Sequence, residues 1–220
     1  VLDLFHPTRA VYLVSFDYPY TPPRKFSFPG DMRHIPAARL AIHETFEGIK
    51  AVADHLRARK DLDHGRITIV GASFGAPFAL HAAATHPEVF RGLVLIHGFC
   101  DVRNTLSHRL RMAWEKKLGD GLAALTAWAV GGALWLYMGV PDLGVLAEKL
   151  EAHQQVLVID AAEDHFIPRE ISAALKTRLQ RSQARITFKE TTGDHLMPGA
   201  LALIEKLLGM TTEWMTQSGL

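Results

Sequence analysis

The chain has 220 residues, of which 48% are hydrophobic and 21% charged, so it can bury a substantial core and is neither disordered nor fibrous. Its 24 Lys and Arg residues balance 23 Asp and Glu residues, so it lacks the broad positive field that binds a phosphate backbone, and we expect no nucleic-acid partner. Cys100 is the only cysteine, which excludes an internal disulfide and a cysteine-based zinc site. The N-terminal sequence does not have the charged-then-apolar order of a signal peptide, and we expect a cytoplasmic protein.

Five short stretches rich in Val, Ile and Leu are predicted as strands with two apolar faces: 10–16, 67–70, 92–97, 155–160 and 185–189. Four amphipathic stretches are predicted as helices: 37–59, 76–85, 169–181 and 198–215. Parallel strands need crossover connections of about a dozen residues, and this alternation provides them. We predict a single α/β domain over 1–220, with a mostly parallel sheet and helices on both faces.

The sequence Gly71-Ala72-Ser73-Phe74-Gly75 directly follows a predicted strand and precedes a predicted helix. In such a G-x-S-x-G turn the serine takes a strained backbone conformation, and glycines two residues away on either side avoid a collision across the bend. The start of the helix favours developing negative charge, so the backbone N–H of Phe74 is predicted as an oxyanion donor. We predict Ser73 as a nucleophile. The alternative is an ordinary glycine-rich turn that carries a surface serine.

A serine hydroxyl becomes a good nucleophile when an imidazole takes its proton and a carboxylate orients that imidazole. Asp164 follows the fourth predicted strand, and His195 follows the fifth. The order Ser, Asp, His along the chain is the one expected of this turn. We therefore predict His195 as the base and Asp164 as the acid. Three other residues remain alternatives for the acid: Asp101, Glu163 and Asp160.

Two neighbouring features are interpreted as structural. Asp194 directly precedes His195 and is interpreted as a loop-ordering or exposed acid. His97-Gly98-Phe99 comes at the end of the predicted strand that follows the serine turn. We interpret His97 as the end of a buried strand that lines the pocket. No histidine partner lies at metal-binding spacing from it, so we predict no metal.

These motifs resemble those of the α/β-hydrolase family, and the resemblance extends from the first predicted strand to the last helix. The segment 63–75, in which an Asp and an Arg-Ile pair precede the serine turn, is most similar to the dienelactone-hydrolase and acyl-peptidase branches. The resemblance implies an ester, thioester or amide hydrolase that uses no metal and no organic cofactor. We expect a serine esterase that acts on a small-molecule ester. An amide or peptide hydrolase and a catalytically silent binding protein are the alternatives.

The family's third strand, which bears the second oxyanion donor, has no counterpart between 17 and 66. That stretch instead predicts a proline-rich loop at 18–29 and one long helix. The chain also begins with Val1 rather than methionine. The simplest interpretation is that an N-terminal portion is missing, and a reduced sheet with a donor from elsewhere is the alternative. Because loss of one oxyanion donor costs about 10²–10³ in kcat, the silent-protein alternative depends on this gap.

Residues 101–152 contain no convincing strand and are predicted as a mostly helical insertion. Residues 121–140 carry no charged side chain and are long enough to span a bilayer. A single crossing would place Ser73 on the opposite side from Asp164 and His195. We therefore expect a helical cap over the site that favours apolar acyl groups, with a core helix or interfacial membrane contact as alternatives. A second subunit would cover an exposed sheet edge, so a homodimer is a further expectation.

Overall fold

The structure is a computed structural model that describes residues 11–15, 34–197 and 199–220. Within these residues, strands and helices alternate along the chain. The strands are β1 (Thr68–Ala72), β2 (Gly92–Ile96), β3 (Gln155–Ala161) and β4 (Arg185–Thr191). The helices are α1 (Ile35–Ala58), α2 (Ala76–Thr85), α3 (Val102–Leu118), α4 (Asp120–Met138), α5 (Leu143–Ala147), α6 (Arg169–Gln180) and α7 (Leu201–Gln217). The proline-rich loop predicted at 18–29 lies outside the described residues.

The four strands form one parallel sheet in the order β1-β2-β3-β4. The register pairs Val70 with Val94, Val94 with Leu157, and Leu157 with Thr187. All strands run in the same direction, so their carboxyl ends lie at one edge of the sheet, where ligands bind in folds of this class. The predicted α/β fold with a parallel sheet is confirmed.

One face of the sheet packs against α7. Alternate apolar side chains of the two central strands and apolar side chains of α7 form a single cluster: Val94, Ile96, Leu157, Ile159, Leu207 and Trp214. The indole N–H of Trp214 also donates to the hydroxyl of Thr187 at 3.2 Å, so the polar end of this large side chain is satisfied. Helix α7 is thereby held against the strands that lead to the site.

The outer strands are less buried than the sequence predicts. In β2 every residue is buried, and in β3 only the first residue is partly exposed. Val70 in β1 and Phe188 in β4 are instead 49% and 37% exposed. Each of these strands is paired on one side only among the described residues, and strand composition does not reveal that position in the sheet. The prediction of two apolar buried faces therefore holds for β2 and β3.

The strand predicted at 10–16 is wrong over its described part. Residues 11–15 have no regular secondary structure, and Val11 to Val14 are each between 43% and 58% exposed. Apolar and β-branched composition favours a strand, but a strand forms only where a neighbour accepts its backbone hydrogen bonds. The described part of 17–66 contains α1 and a short 3₁₀ turn at His64–Arg66, and no strand within 34–66 takes the place of the family's third strand.

The described residues fall into two compact units. The first contains all four strands and comprises 11–15, 52–100 and 143–220, apart from residue 198. The second comprises 34–51 and 101–142 and contains α3 and α4. The insertion is mostly helical, as predicted. Its role as a cap over the site stays a prediction. The single domain over 1–220 also stays a prediction.

Helices α3 and α4 form a hairpin that turns at Gly119, whose φ is +74°. Leu110, Ala127 and Leu134 form its apolar contact. A side chain at Gly131 would lie 2.3 Å from the hydroxyl oxygen of Ser107, so this glycine lets the two helices approach closely. Among the described residues, α4 alone is long and apolar enough to cross a membrane, by length and composition.

Candidate active site

The turn between β1 and α2 presents Ser73 at the carboxyl end of the sheet. Ser73 has a φ of +50°, a left-handed conformation that is uncommon for residues other than glycine. A 3₁₀ turn over Ser73–Gly75 leads directly into α2. A Cβ atom at Gly71 would lie 2.5 Å from the carbonyl oxygen of Gly75 and 2.6 Å from the Cβ of Ala79. The close approach across the bend that the sequence predicts is therefore present.

The structure brings Ser73, His195 and Asp164 together in one chain of hydrogen bonds. The Oγ of Ser73 lies 2.6 Å from Nε2 of His195, and Nδ1 of His195 lies 2.7 Å from Oδ2 of Asp164. The side chains of His195 and Asp164 are only 3% and 8% exposed. Because the carboxylate accepts at Nδ1, that nitrogen carries the proton and Nε2 is left to accept the serine O–H.

The loop after β3 holds Asp164 in its ionised form. Oδ1 of Asp164 accepts the backbone N–H groups of Phe166 at 2.8 Å and Ile167 at 2.7 Å. Burial alone would raise the pKa of Asp164, but the bonds from His195, Ile167 and Phe166 outweigh it and hold the pKa below its ordinary value. A carboxylate that stays ionised at neutral pH keeps its hydrogen bond to the imidazole.

Two neighbours position His195. Oδ1 of Asp194 accepts the backbone N–H of His195 at 2.6 Å and that of His165 at 3.0 Å, which supports the interpretation of Asp194 as a loop-ordering acid. The ring of Phe166 stacks on the imidazole, with centroids 5.1 Å apart and planes inclined by 20°. The side chain of His165 is 76% exposed and pairs with Asp194 at 3.3 Å.

The three alternative acids have other partners or surroundings. Asp101 caps α3, where its carboxylate accepts the backbone N–H of Asn104 at 3.0 Å. Asp160 is buried, accepts the hydroxyl of Ser172 at 2.7 Å and forms an ion pair with Lys176 at 2.6 Å. Glu163 is exposed. Asp164 is therefore the member of this set that contacts His195.

Phe74 follows Ser73 in the 3₁₀ turn, which places its backbone at the start of the helical segment. Phe74 is 49% exposed, and its ring meets the ring of Phe78 edge to face at 5.5 Å. The use of the Phe74 N–H as an oxyanion donor stays a prediction, and a second donor is not identified within the described part of the chain.

Sequence reasoning missed the contact that His97 makes. His97 is 1% exposed, and its Nδ1 accepts the backbone N–H of Leu196, the residue after His195, at 2.9 Å. The ring centroids of His97 and His195 lie 5.5 Å apart. His97 and Leu196 are 99 residues apart, so no local pattern links them. The available signal was a buried polar residue at the end of a strand next to the serine strand.

The donor atoms of His97, Asp164 and His195 all lie within 4.8 Å of one another, a spacing that a metal ion could bridge. The Nδ1 of His97 is engaged by Leu196, and the Nδ1 of His195 is engaged by Asp164. The other ring nitrogens also have partners, since Nε2 of His195 bonds to Ser73 and Nε2 of His97 lies 3.4 Å from the hydroxyl oxygen of Thr191. A metal at either histidine would therefore replace a hydrogen bond. We therefore assign the cluster to hydrogen bonding around His195.

A parallel sheet whose strand, tight turn and helix present a serine beside a buried histidine and carboxylate defines an α/β-hydrolase. Comparison with known families agrees with this class and narrows it. The chain belongs to the prolyl oligopeptidase family, whose sequence model matches residues 37–217. It is thus a member of a serine hydrolase family. No curated protein matches its sequence.

Two solved structures, with TM-scores of 0.52 and 0.50, show the same fold at low sequence identity. Est1E from Butyrivibrio proteoclasticus is 16% identical with a TM-score of 0.52, and the match covers 78% of this chain and 69% of Est1E. Acylaminoacyl peptidase from Pyrococcus horikoshii is 16% identical with a TM-score of 0.50, over 74% of this chain and 25% of that protein. Acetyl xylan esterase 1 from Thermoanaerobacterium sp. JW/SL YS485 is 17% identical with a TM-score of 0.49, over 74% of this chain and 51% of that one. The chain therefore matches about half of the length of this last structure.

Proposed function

We propose that the protein is a serine esterase that cleaves carboxylic esters through an acyl-enzyme intermediate. The observation that carries this proposal is the continuous hydrogen-bonded chain from Ser73 through His195 to Asp164, with heavy-atom distances of 2.6 and 2.7 Å. These distances are within the range that a general base needs in order to take the serine proton. This geometry and membership in a serine hydrolase family support the proposed class of reaction.

In the first half of the reaction, Oγ of Ser73 forms a bond to the ester carbonyl carbon while Nε2 of His195 takes the hydroxyl proton. The N–H of Phe74 stabilises the negative charge on the carbonyl oxygen. The bond to the alcohol oxygen then breaks, and Nε2 gives its proton to the leaving alcohol. In the second half, water gives a proton to the same nitrogen and attacks the acyl carbon. The bond from that carbon to Oγ of Ser73 then breaks, and Nε2 returns the proton to Oγ, which releases the acid and free Ser73.

Asp164 has a defined part in these steps. Its carboxylate holds Nδ1–H of His195, so the imidazole presents its unprotonated Nε2 to the serine. When His195 becomes positively charged, the ionised carboxylate stabilises it without accepting the proton. Since both side chains are nearly buried, water screens this interaction weakly.

Esters are favoured over amides by the leaving group. Resonance stabilises an ester carbonyl less than an amide carbonyl, and an alcohol oxygen leaves a tetrahedral intermediate more readily than an unprotonated amide nitrogen does. An ester therefore needs less transition-state stabilisation from the enzyme. Membership in the prolyl oligopeptidase family supports a second candidate, hydrolysis of an amide or peptide bond by the same three residues. Apolar acyl groups are a further part of the proposal, and this part rests only on the uncharged segment 121–140 of the sequence. A cytoplasmic location and a homodimer remain proposals from the sequence.

The test compares the purified parent protein with Ser73→Ala on p-nitrophenyl esters of increasing acyl length and on matched p-nitroanilides. The control is Ser182→Ala, which removes a hydroxyl from a surface turn after α6. We expect the parent and the control to hydrolyse the esters, with a preference for longer acyl chains, and Ser73→Ala to lose the activity. A fluorophosphonate probe should label Ser73 stoichiometrically, as intact-mass analysis would show. A folded parent protein that is neither labelled nor active on either substrate series would instead support the silent binding protein.

A further inference from the structure

We infer that His97 is a positioning residue, which fixes the peptide group after His195 and so aligns the imidazole of His195 with Ser73. The inference rests on the proposed function, because it assigns His97 a role in the same site. It concerns a residue that the sequence suggested only as part of the pocket lining. A set of hydrogen bonds at His97 links the end of β2 to the end of β4 and to the loop after it.

The backbone at His97 is held in an unusual conformation. Its φ is +48°, and its N–H donates to the carbonyl of Ile159 in β3 at 2.7 Å. A residue other than glycine persists in the left-handed region when its surroundings hold it there, and such residues concentrate at functional sites. The following Gly98 comes so close to α2 that a Cβ there would lie 2.7 Å from the Cβ of Ala76. This turn is therefore packed tightly against the helix that begins after Ser73.

The imidazole of His97 joins the end of β2 to the end of β4 and to the loop that follows β4. Its Nδ1 accepts the N–H of Leu196 at 2.9 Å, and its Nε2 lies 3.4 Å from the hydroxyl oxygen of Thr191 at the end of β4. That hydroxyl in turn donates to the carbonyl of Asp160 in β3 at 3.2 Å. Because Nδ1 accepts from a backbone N–H, it cannot carry a proton, so Nε2 does. The hydrogen bonds thus select one neutral tautomer.

The surroundings keep this imidazole neutral. Burial lowers the pKa of His97, and so does the nearby His195, while Asp164, Asp160 and Asp194 act in the opposite direction with less effect. Protonation at Nδ1 would remove the acceptor that Leu196 uses. A neutral His97 therefore maintains the bond to the loop at the pH where the proposed reaction runs.

The bond to Leu196 matters because a peptide group is planar. Fixing the N–H of Leu196 also fixes the carbonyl of His195, since both belong to one plane. On the other side, Asp194 accepts the N–H of His195 at 2.6 Å. Both peptide groups that flank the Cα of His195 are therefore anchored, one by Asp194 and one by His97. An error of about 1 Å in the position of a catalytic group costs on the order of 10²-fold in rate, so this anchoring has a direct effect on turnover.

The test uses three variants at one position. His97→Leu keeps an apolar volume and removes the acceptor. His97→Asn places its Oδ1 near the position of Nδ1 and tolerates the left-handed backbone. His97→Gln reaches toward Thr191 but lacks an acceptor at the Nδ1 position. We expect His97→Leu and His97→Gln to lower kcat for an ester by about 10-fold to 100-fold with little change in KM, and His97→Asn to restore most of the loss.

A second readout does not depend on turnover. The Nδ1–H proton of His195, which bonds to Asp164, should give a far-downfield proton resonance in the parent and in His97→Asn. We expect it to broaden or disappear in His97→Leu and His97→Gln, while melting temperature and circular dichroism report whether each variant is folded. Should the parent prove inactive on every ester and unlabelled by the probe, the proposed esterase function fails, and this resonance still tests the role of His97.

Two results would overturn the inference. One is parent-like kcat and an unchanged resonance in folded His97→Leu. The other is an equal loss in His97→Asn and His97→Leu, which would show that the imidazole has a packing role rather than acting as an acceptor for Leu196. If His97→Leu does not fold, His97→Gln decides in its place, and parent-like kcat in that variant counts against the inference.

Discussion

The carboxylate of Asp194 accepts the backbone N–H of His165 at 3.0 Å and thereby joins the loop after β4 to the loop after β3. Two backbone bonds support the same connection: Ala162 donates to Thr191 at 2.9 Å, and Glu163 donates to Gly193 at 3.0 Å. These loops carry His195 and Asp164 respectively. The distance between base and acid is therefore set by a hydrogen-bonded pair of loops as well as by the bond between the two side chains.

The first prediction concerns this connection. Asp194→Ala removes the acceptor for the N–H groups of His165 and His195, whereas Asp194→Asn keeps an oxygen in the same place. Because the change loosens the loop on one side of His195, we expect Asp194→Ala to lower kcat/KM for an ester by about 10-fold, and Asp194→Asn to retain most of the activity. Steady-state kinetics of the two variants, measured side by side, check this. Equal activity in Asp194→Ala and the parent would show that the bond is dispensable.

The second prediction concerns the role of Asp164 in the reaction. Asp164→Asn keeps the shape of the side chain but presents a neutral amide to His195, which no longer fixes Nδ1–H or stabilises the imidazolium. We expect kcat at neutral pH to fall by about 10⁴-fold, the size of effect that the corresponding change has in serine proteases. Labelling by a fluorophosphonate probe should slow in parallel. Near-normal turnover in this variant would require another acid for His195.

The third prediction concerns pH and stability, again at Asp164. Its pKa is held below the ordinary value in the folded state, so hydrogen bonding to the ionised carboxylate stabilises the fold at pH values above the unfolded pKa of about 3.9. That contribution is lost as the pH falls further and the folded carboxyl group takes up a proton. Urea unfolding of the parent and of Asp164→Asn between neutral pH and about pH 3 measures it. The free energy of unfolding should fall more steeply with acid in the parent than in the variant, and parallel curves would contradict the assignment.

The fourth prediction separates Asp101 from the site. Since its carboxylate caps α3 through the N–H of Asn104, Asp101→Ala should cost about 1 kcal/mol of helix or protein stability. Asp101→Asn, which can still cap, should cost less. Ester hydrolysis by both variants should stay close to that of the parent. A fall in kcat comparable to that of Asp164→Asn, without a loss of stability, would instead support Asp101 as the acid that orients His195.

The fifth prediction concerns the turn that carries Ser73. Gly71→Ala introduces a Cβ 2.5 Å from the carbonyl oxygen of Gly75, and backbone on both sides of the bend must shift to accept it. We expect a loss of soluble folded protein or of more than about 2 kcal/mol of stability, with loss of activity. The matched control is Gly209→Ala in α7, where a Cβ meets no atom within 4 Å and should add up to about 1 kcal/mol. Equal melting temperatures for Gly71→Ala and the parent would contradict this account of the turn.

Much of the sheet could be predicted because buried parallel strands leave a clear local signal. β2 and β3 are continuous apolar runs between helices, and their predicted bounds match the structure closely. The serine turn was also predictable, since a Cβ at residue 71 would collide with the backbone across the bend and glycine avoids that collision. The segment 10–16 has similar composition but forms no strand in its described part. Within the described residues, β2 and β3 pair with a strand on both sides and 11–15 pairs with none, and composition does not report such pairing.

The sequence by itself determined the parallel α/β class, the position of the serine turn and the order in which Ser73, Asp164 and His195 occur, because each depends on local periodicity or local sterics. The tertiary structure alone decided that Asp164, rather than Asp160 or Asp101, contacts His195, and that His97 accepts the N–H of Leu196. Those contacts join residues from 31 to 99 positions apart. Their partners are selected by where strand ends meet at one edge of the sheet, which is a property of the folded chain.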